Sequence, residues 1–267
     1  TERLGQPIVV ENRVGGGGLL ANDLVAKAPP DGYSWILLTG GHPVSGAVMN
    51  KMPYDPVDGF GFVTTVTAYP FLVSVPASSE IKSLPDFIAR AKANPGKMTA
   101  AVGTIASLHH LLGELLGLES KTEFLVVPLK GAGQSVVEVM SGRIDIMIET
   151  ATATIGYIKS GKLRGLAQTT ATRSPLMPDI PAMAETLPGF DVTSWLGLAV
   201  APRTPRPIID LLNREVRTVI EMPDVRQRLA ELGGVPTPST PDEMRERVIR
   251  ETERWKRVVE LKGVPKQ

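Results

Sequence analysis

The chain has 267 residues, 42% of them hydrophobic and 21% charged, and its 29 Lys plus Arg against 28 Asp plus Glu give a net charge of +1. That balance provides no basic excess for nucleic acid, and no apolar run approaches the about 20 residues of a membrane span. Cysteine is absent, which removes disulfides, thiolate catalysis and Cys-based metal sites together.

The opening run TERLGQP has neither the charged nor the apolar region of a secretory signal. Pro7-Ile8-Val9-Val10 reads as a short buried strand and Tyr33 to Leu38 as another, with four glycines, Gly15 to Gly18, and a helix from Leu19 to Lys27 between them. This rhythm predicts parallel strands. Phe71 to Val75 is a third strand. The helix after it is capped by Ser83, has Pro85 in its first turn and ends at Asn94-Pro95-Gly96. Next come strand Met98 to Val102, the helix LHHLLGELLG, strand Phe124 to Pro128, helix Ser135 to Ser141 and strand Ile144 to Ile148. Helix Ala153 to Ser160 and strand Leu163 to Thr169 repeat the alternation. RSPLMPDIPAMAETLPGF is too rich in proline to be one helix. An extended VTSWLGLAVAP follows it, and from Pro205 the chain is helical, with starts at Pro223-Asp224 and Thr240-Pro241-Asp242. Alternating α/β segments followed by a helical tail predict two α/β lobes.

The glycine run raises the question of a phosphate site. Neither GxxxxGK[ST] nor GxGxxG can be written from Gly15, because Leu20 stands where each pattern needs glycine. A strand-to-helix turn remains. The three histidines, His42, His109 and His110, form no metal-ligand set with neighbouring carboxylates. Adjacent His109 and His110 lie about 100° apart around a helix, so packing or capping is their expected role. Ser107 near His109 could begin a nucleophilic site, but no oriented base is visible and GxSxG is missing. Asp145 and Glu149 would share one strand face, with capping or salt bridging the favoured role and acid/base chemistry the alternative. No cofactor motif is present.

Four predicted strand ends do carry small and hydroxyl residues: Thr39-Gly40-Gly41, Gly103 to Ser107, Glu149-Thr150 and Thr169-Thr170. In open α/β sheets such ends face the ligand crevice, and helix N-termini bind anions without a cationic side chain. Together the loops point to a small anionic ligand between lobes.

The runs ERLGQPIVVENRVGGGG, APPDGYSWILL, MPYDPVDGF, SLHHLLGELL, VPLKGAGQSVVEVMSGRIDIM, IKSGKLRGLA, TRSPLMPDIPAMAE and GFDVTSWLGLAVAP resemble the Bug family, the extracytoplasmic solute receptors of tripartite tricarboxylate transporters. The resemblance covers nearly the whole chain. It implies a type II periplasmic-binding-protein fold, an α/β architecture of two lobes closing on a ligand cleft without catalysis. The expected first lobe is 1–80 with 198–267, and the second is 81–197.

By the same resemblance the ligand is a small organic acid, the partners are membrane permease subunits, the location is periplasmic and the full-length receptor is a monomer. Carried over, Thr39, Gly40 and Gly41 would face the ligand from the first lobe. Gly103, Thr104 and Ser107 would face it from the second, with Glu149 and Thr150 nearby. Gly15 to Gly18 matches a family turn after the VVENR strand. The chain departs from the family in AVGTIAS, usually richer in Gly and Ser, and in Glu149-Thr150, where Asp and Asn are common. The family's first strand and ligand loop are expected to precede Thr1, leaving an open edge in the first lobe. An enzyme on a similar bilobal fold is the alternative reading.

Overall fold

The computed structural model describes residues 3–13 and 18–267. Its organising element is β2 (Gly61–Pro76), a 16-residue strand shared by two sheets. The first half of β2 lies antiparallel to β7 (Thr193–Val200), from Gly61 opposite Val200 to Pro70 opposite Thr193. On its other side β7 pairs with β1 (Trp35–Thr39), also antiparallel, and β8 (Val235–Pro236) flanks β2. From Phe71 onward β2 pairs instead with β5 (Ile146–Thr150) and β6 (Leu163–Gln168). Beyond β5 lie β3 (Thr99–Val102) and β4 (Leu125–Pro128), joined in parallel. Pro70 stands where the strand leaves one sheet for the other, a place where a missing N–H does no harm to a central ladder.

Each sheet is covered on both faces. In the first, α9 (Pro241–Lys262) brings Met244 and Val248 onto Trp195 and Leu38. On the opposite face α7 (Arg206–Ile220) packs Ile209 and Leu212 on Val63 and Val200. In the second, α3 (Leu84–Ala93) and α4 (Leu108–Ser120) bury Phe87, Leu111 and Leu112 against Phe71, Val73, Ile146 and Ile148. Met147, pointing the other way as strand alternation requires, meets Val136 and Val139 of α5 (Ala132–Met140). The remaining helices are α1 (Leu19–Ala26), α2 (Gly41–Val48), α6 (Ala151–Lys159) and α8 (Pro223–Glu231).

Local chemistry explains several boundaries. Ser83 Oγ accepts the Asp86 N–H at 3.2 Å and starts α3. Thr240 and Glu243 cap each other reciprocally at the start of α9, and Gly263 ends that helix at φ 60°. The proline-rich segment after β6 is stitched down by buried Gln168. Its amide donates to the carbonyls of Met177 and Ile180 and accepts from the Ser174 N–H. Arg173 and Glu185 clamp the same segment through two bonds of 2.7 and 2.8 Å.

Three expectations need correction. Ile8, Val9 and Val10 are exposed rather than buried and form no strand, since no described strand lies beside them to complete a ladder. With that strand gone, the parallel pair expected at the start is replaced by the antiparallel β1–β7 pairing. The chain crosses between sheets at Pro70–Phe71 and again between Gln168 and Thr193, so the expected 80/81 and 197/198 boundaries fall inside the wrong lobe. The longest stretches that escaped the sequence are α2, which contains Pro43 and Gly46, and residues 61–70 of β2; the two-residue β8 escaped it as well.

Candidate functional site

Between the two sheets lies a cleft of about 590 Å³. Three helices begin on it. Thr39 and Gly41, at the end of β1 and the start of α2, line one side; Thr104 and Ser107, before α4, and Thr150, before α6, line the other. Thr39 Oγ1 accepts the Gly41 N–H at 3.1 Å. Ser107 caps α4 by accepting the His110 N–H at 3.3 Å, while the first-turn N–H groups of Leu108 and His109 find no acceptor among the described residues. Unspent donors of this kind, backed by the helix dipole, attract anions.

The sequence-predicted residues divide into two groups. Thr39, Gly41, Thr104, Ser107 and Thr150 line the cleft. Gly40, Gly103 and Glu149 lie just behind it. A Cβ on Gly40 would stand 3.1 Å from the Leu108 side chain of the opposite lobe, so this glycine permits a close cross-lobe approach. A Cβ on Gly103 would meet His109 and Ser107 at 3.2 Å. Glu149 is buried, 3% exposed, with Ser135 Oγ donating to its carboxylate at 3.3 Å.

The Thr169-Thr170 loop is not part of the lining. Thr169 Oγ1 instead donates to the Val192 carbonyl at 2.6 Å and accepts the Phe71 N–H, fixing the place where the chain crosses between sheets. Asp145, for which capping or salt bridging was expected, instead ties the start of β3 to the chain entering β5, accepting both the N–H and the hydroxyl of Thr99 at 2.8 Å.

Several lining residues were missed. Tyr69, Phe71 and Ser194 sit where β2 and β7 cross between lobes, and Ser45 is in the unforeseen α2. His109 also lines the cleft, with Nε2 3.3 Å from Glu149 Oε2, whereas packing or capping was expected of it. His42 and His110 are buried as packing residues. Both ring nitrogens of His42 are occupied: Nε2 meets the Pro56 carbonyl at 2.7 Å, and Asn22 approaches Nδ1 at 3.4 Å. Burial holds the His42 and His110 imidazoles below the usual histidine range. Among the described residues, no Lys, Arg, Asp or Glu side chain lines the cleft. Lys130, the nearest cation expected from sequence, is not in the lining.

Gly18 starts α1 at φ 97°, a backbone conformation suited to glycine; Gly15 to Gly17 lie outside the described residues. A larger recess of about 750 Å³ runs between α4 and α9 on the outer surface, lined in part by Arg250, Arg254 and Arg257. It lies away from the strand ends and helix starts, so the smaller cleft is the functional candidate. Among the described residues no cluster of His, Asp and Glu suits a metal ion.

Residues 1–264 match the family described as tripartite tricarboxylate transporter family receptor. The chain belongs to this family. MatC from Rhodopseudomonas palustris, solved with malate bound, is 31% identical, with a TM-score of 0.79 over 97% of this chain and 90% of its own. A second R. palustris protein, solved with adipate, is 32% identical, with a TM-score of 0.82 over 99% of this chain and 89% of its own. The periplasmic binding protein BugD is 28% identical, with a TM-score of 0.80 over 100% and 90%. The fold is therefore that of the periplasmic binding proteins, and the receptors of this family are substrate-binding proteins rather than enzymes.

Proposed function

We propose that this chain is a solute-binding receptor that captures a small organic acid by closing its lobes on the cleft and delivers it to membrane permease subunits. The observation that carries the reading is the convergence of three helix N-termini, those of α2, α4 and α6, on a cleft without an acidic or basic lysine-, arginine- or carboxylate-bearing side chain in its described lining. Such an arrangement favours an anion through oriented N–H groups and hydroxyls. Malate and adipate in the two structural neighbours support a carboxylate of modest size.

Receptors of a transporter family act outside the cytoplasm, which supports a periplasmic location. No described helix is long and apolar enough to cross a membrane. The proposed contact with the permease subunits is made by the receptor as a monomer. The reading requires no metal or cofactor. Titration calorimetry with mono-, di- and tricarboxylates tests it, with the solutions analysed afterwards for product. Saturable one-to-one binding of an acid without chemical change is expected. Turnover of an acid, or no saturable binding across the panel, would contradict the receptor reading.

A further inference from the structure

The pair His109 and Glu149 stands out at this cleft. Thr150, the residue after Glu149, opens α6 on the cleft, yet the Glu149 carboxylate itself is 4% exposed and Ser135 is its only hydrogen-bond donor among the described side chains. A buried carboxylate so poorly supplied with donors is costly, and one placed beside an anion site repels the ligand as well. His109 intervenes. Its Nε2 lies 3.3 Å from Glu149 Oε2, its side chain is 27% exposed, and its ring lines the cleft. Edge-on contact with Phe71, with ring centroids 4.9 Å apart, and close packing over Gly103 hold it in place.

We propose that His109 acts as the counter-charge to Glu149, which lies behind the cleft lining, making the cleft wall electrically neutral toward an anionic ligand. The inference rests on the carboxylate-receptor reading and adds the residue pair that sets the charge the ligand meets. With the proton on the ring, the pair in contact has no net charge, and the helix N-termini act on the anion unopposed. Removal of the ring alone leaves a bare negative charge beside the site. Removal of both restores neutrality.

The test compares the wild type with His109→Gln, Glu149→Gln and the double variant, using adipate and malate as calorimetric probes well below each protein's melting midpoint. His109→Gln is expected to lose at least about tenfold in affinity, the scale of an introduced like-charge contact. Glu149→Gln should stay within about threefold of the wild type, and the double variant should recover to the same range, non-additivity being the mark of a direct pair. A purely structural histidine gives no such recovery. If His109→Gln binds normally, or if it and the double variant are equally weak, the pairing is wrong while the receptor reading stands. Should His109→Gln fail to fold, the double variant decides: a loss of tenfold or more there overturns the proposal. If the wild type binds neither probe nor any other carboxylate, the receptor reading falls and this inference with it.

Discussion

Ser107 performs two tasks at once. Its oxygen accepts the His110 N–H and so caps α4, while its hydroxyl proton remains free to donate into the cleft. Ser107→Ala should therefore weaken acid binding by about 1 kcal/mol or more, the scale of a lost hydrogen bond. It should also lower stability by about 1 kcal/mol through the lost cap. Calorimetry and denaturant unfolding separate the two effects, and unchanged affinity would remove Ser107 from the binding site. His42 and His110 allow a pH prediction. Burial lowers both from the ordinary value of 6.5, so the unfolded chain takes up their protons first as pH falls. Their stability contribution is complete above pH 6.5 and declines below it, by at most about 1.4 kcal/mol per pH unit for each ring. Unfolding curves from pH 7 to 5.5 should show this slope, and replacing both rings with glutamine should flatten it. A wild-type curve that is flat over this range would contradict the prediction.

Among the elements, those with explicit punctuation were legible. Ser83 with Pro85, Ser107, and Thr240 with Pro241-Asp242 start α3, α4 and α9 where the sequence placed them. By contrast α2 begins at two glycines, contains Pro43 and Gly46, and has no side-chain cap; tertiary burial of Val44, Ala47 and Val48 supplies what its propensities do not. The run GFVTTVTAYP was missed; Pro70 does not end the strand but marks its change of sheets. α9 illustrates how an element is fixed from outside. Glu251 accepts from buried Trp195 Nε1 and from Arg247 Nε, both at 2.8 Å, and Arg247 also donates to Thr193. Glu251→Ala should cost about 2 to 3 kcal/mol, since it strands both an indole N–H and a guanidinium. Denaturant unfolding would measure this, and a loss below about 0.5 kcal/mol would show that solvent replaces the carboxylate.

For the whole molecule, the two-lobed plan followed from alternating segments and family resemblance, but the cleft could not be drawn from them. Thr39, Gly41, Thr104, Ser107 and Thr150 were found because strand-end loops are local features. His109, Tyr69 and Ser194 were not, because which side of a helix or strand meets the opposite lobe depends on packing. α9 couples the lobes: its first half contributes Met244 and Val248 to the first sheet, and Trp255, Val258 and Val259 join the cluster built around α4. The Lys262–Glu114 ion pair, at 3.1 Å, lies at the same junction. Closure of the proposed kind would have to preserve or slide along this shared apolar contact, as a small shear does and a wide hinge does not.

For an acid held by uncharged groups at three helix N-termini, the decisive measurement is a crystal structure of the complex with the tightest-binding carboxylate. The expected result places the carboxylate oxygens within hydrogen-bond distance of N–H groups or hydroxyls at the starts of α2, α4 and α6, with Ser107 and Thr39 among the contacts and no Lys or Arg side chain on the ligand. An acid found instead in the outer recess on Arg250, Arg254 or Arg257, or paired with Lys130 in the cleft, would contradict it.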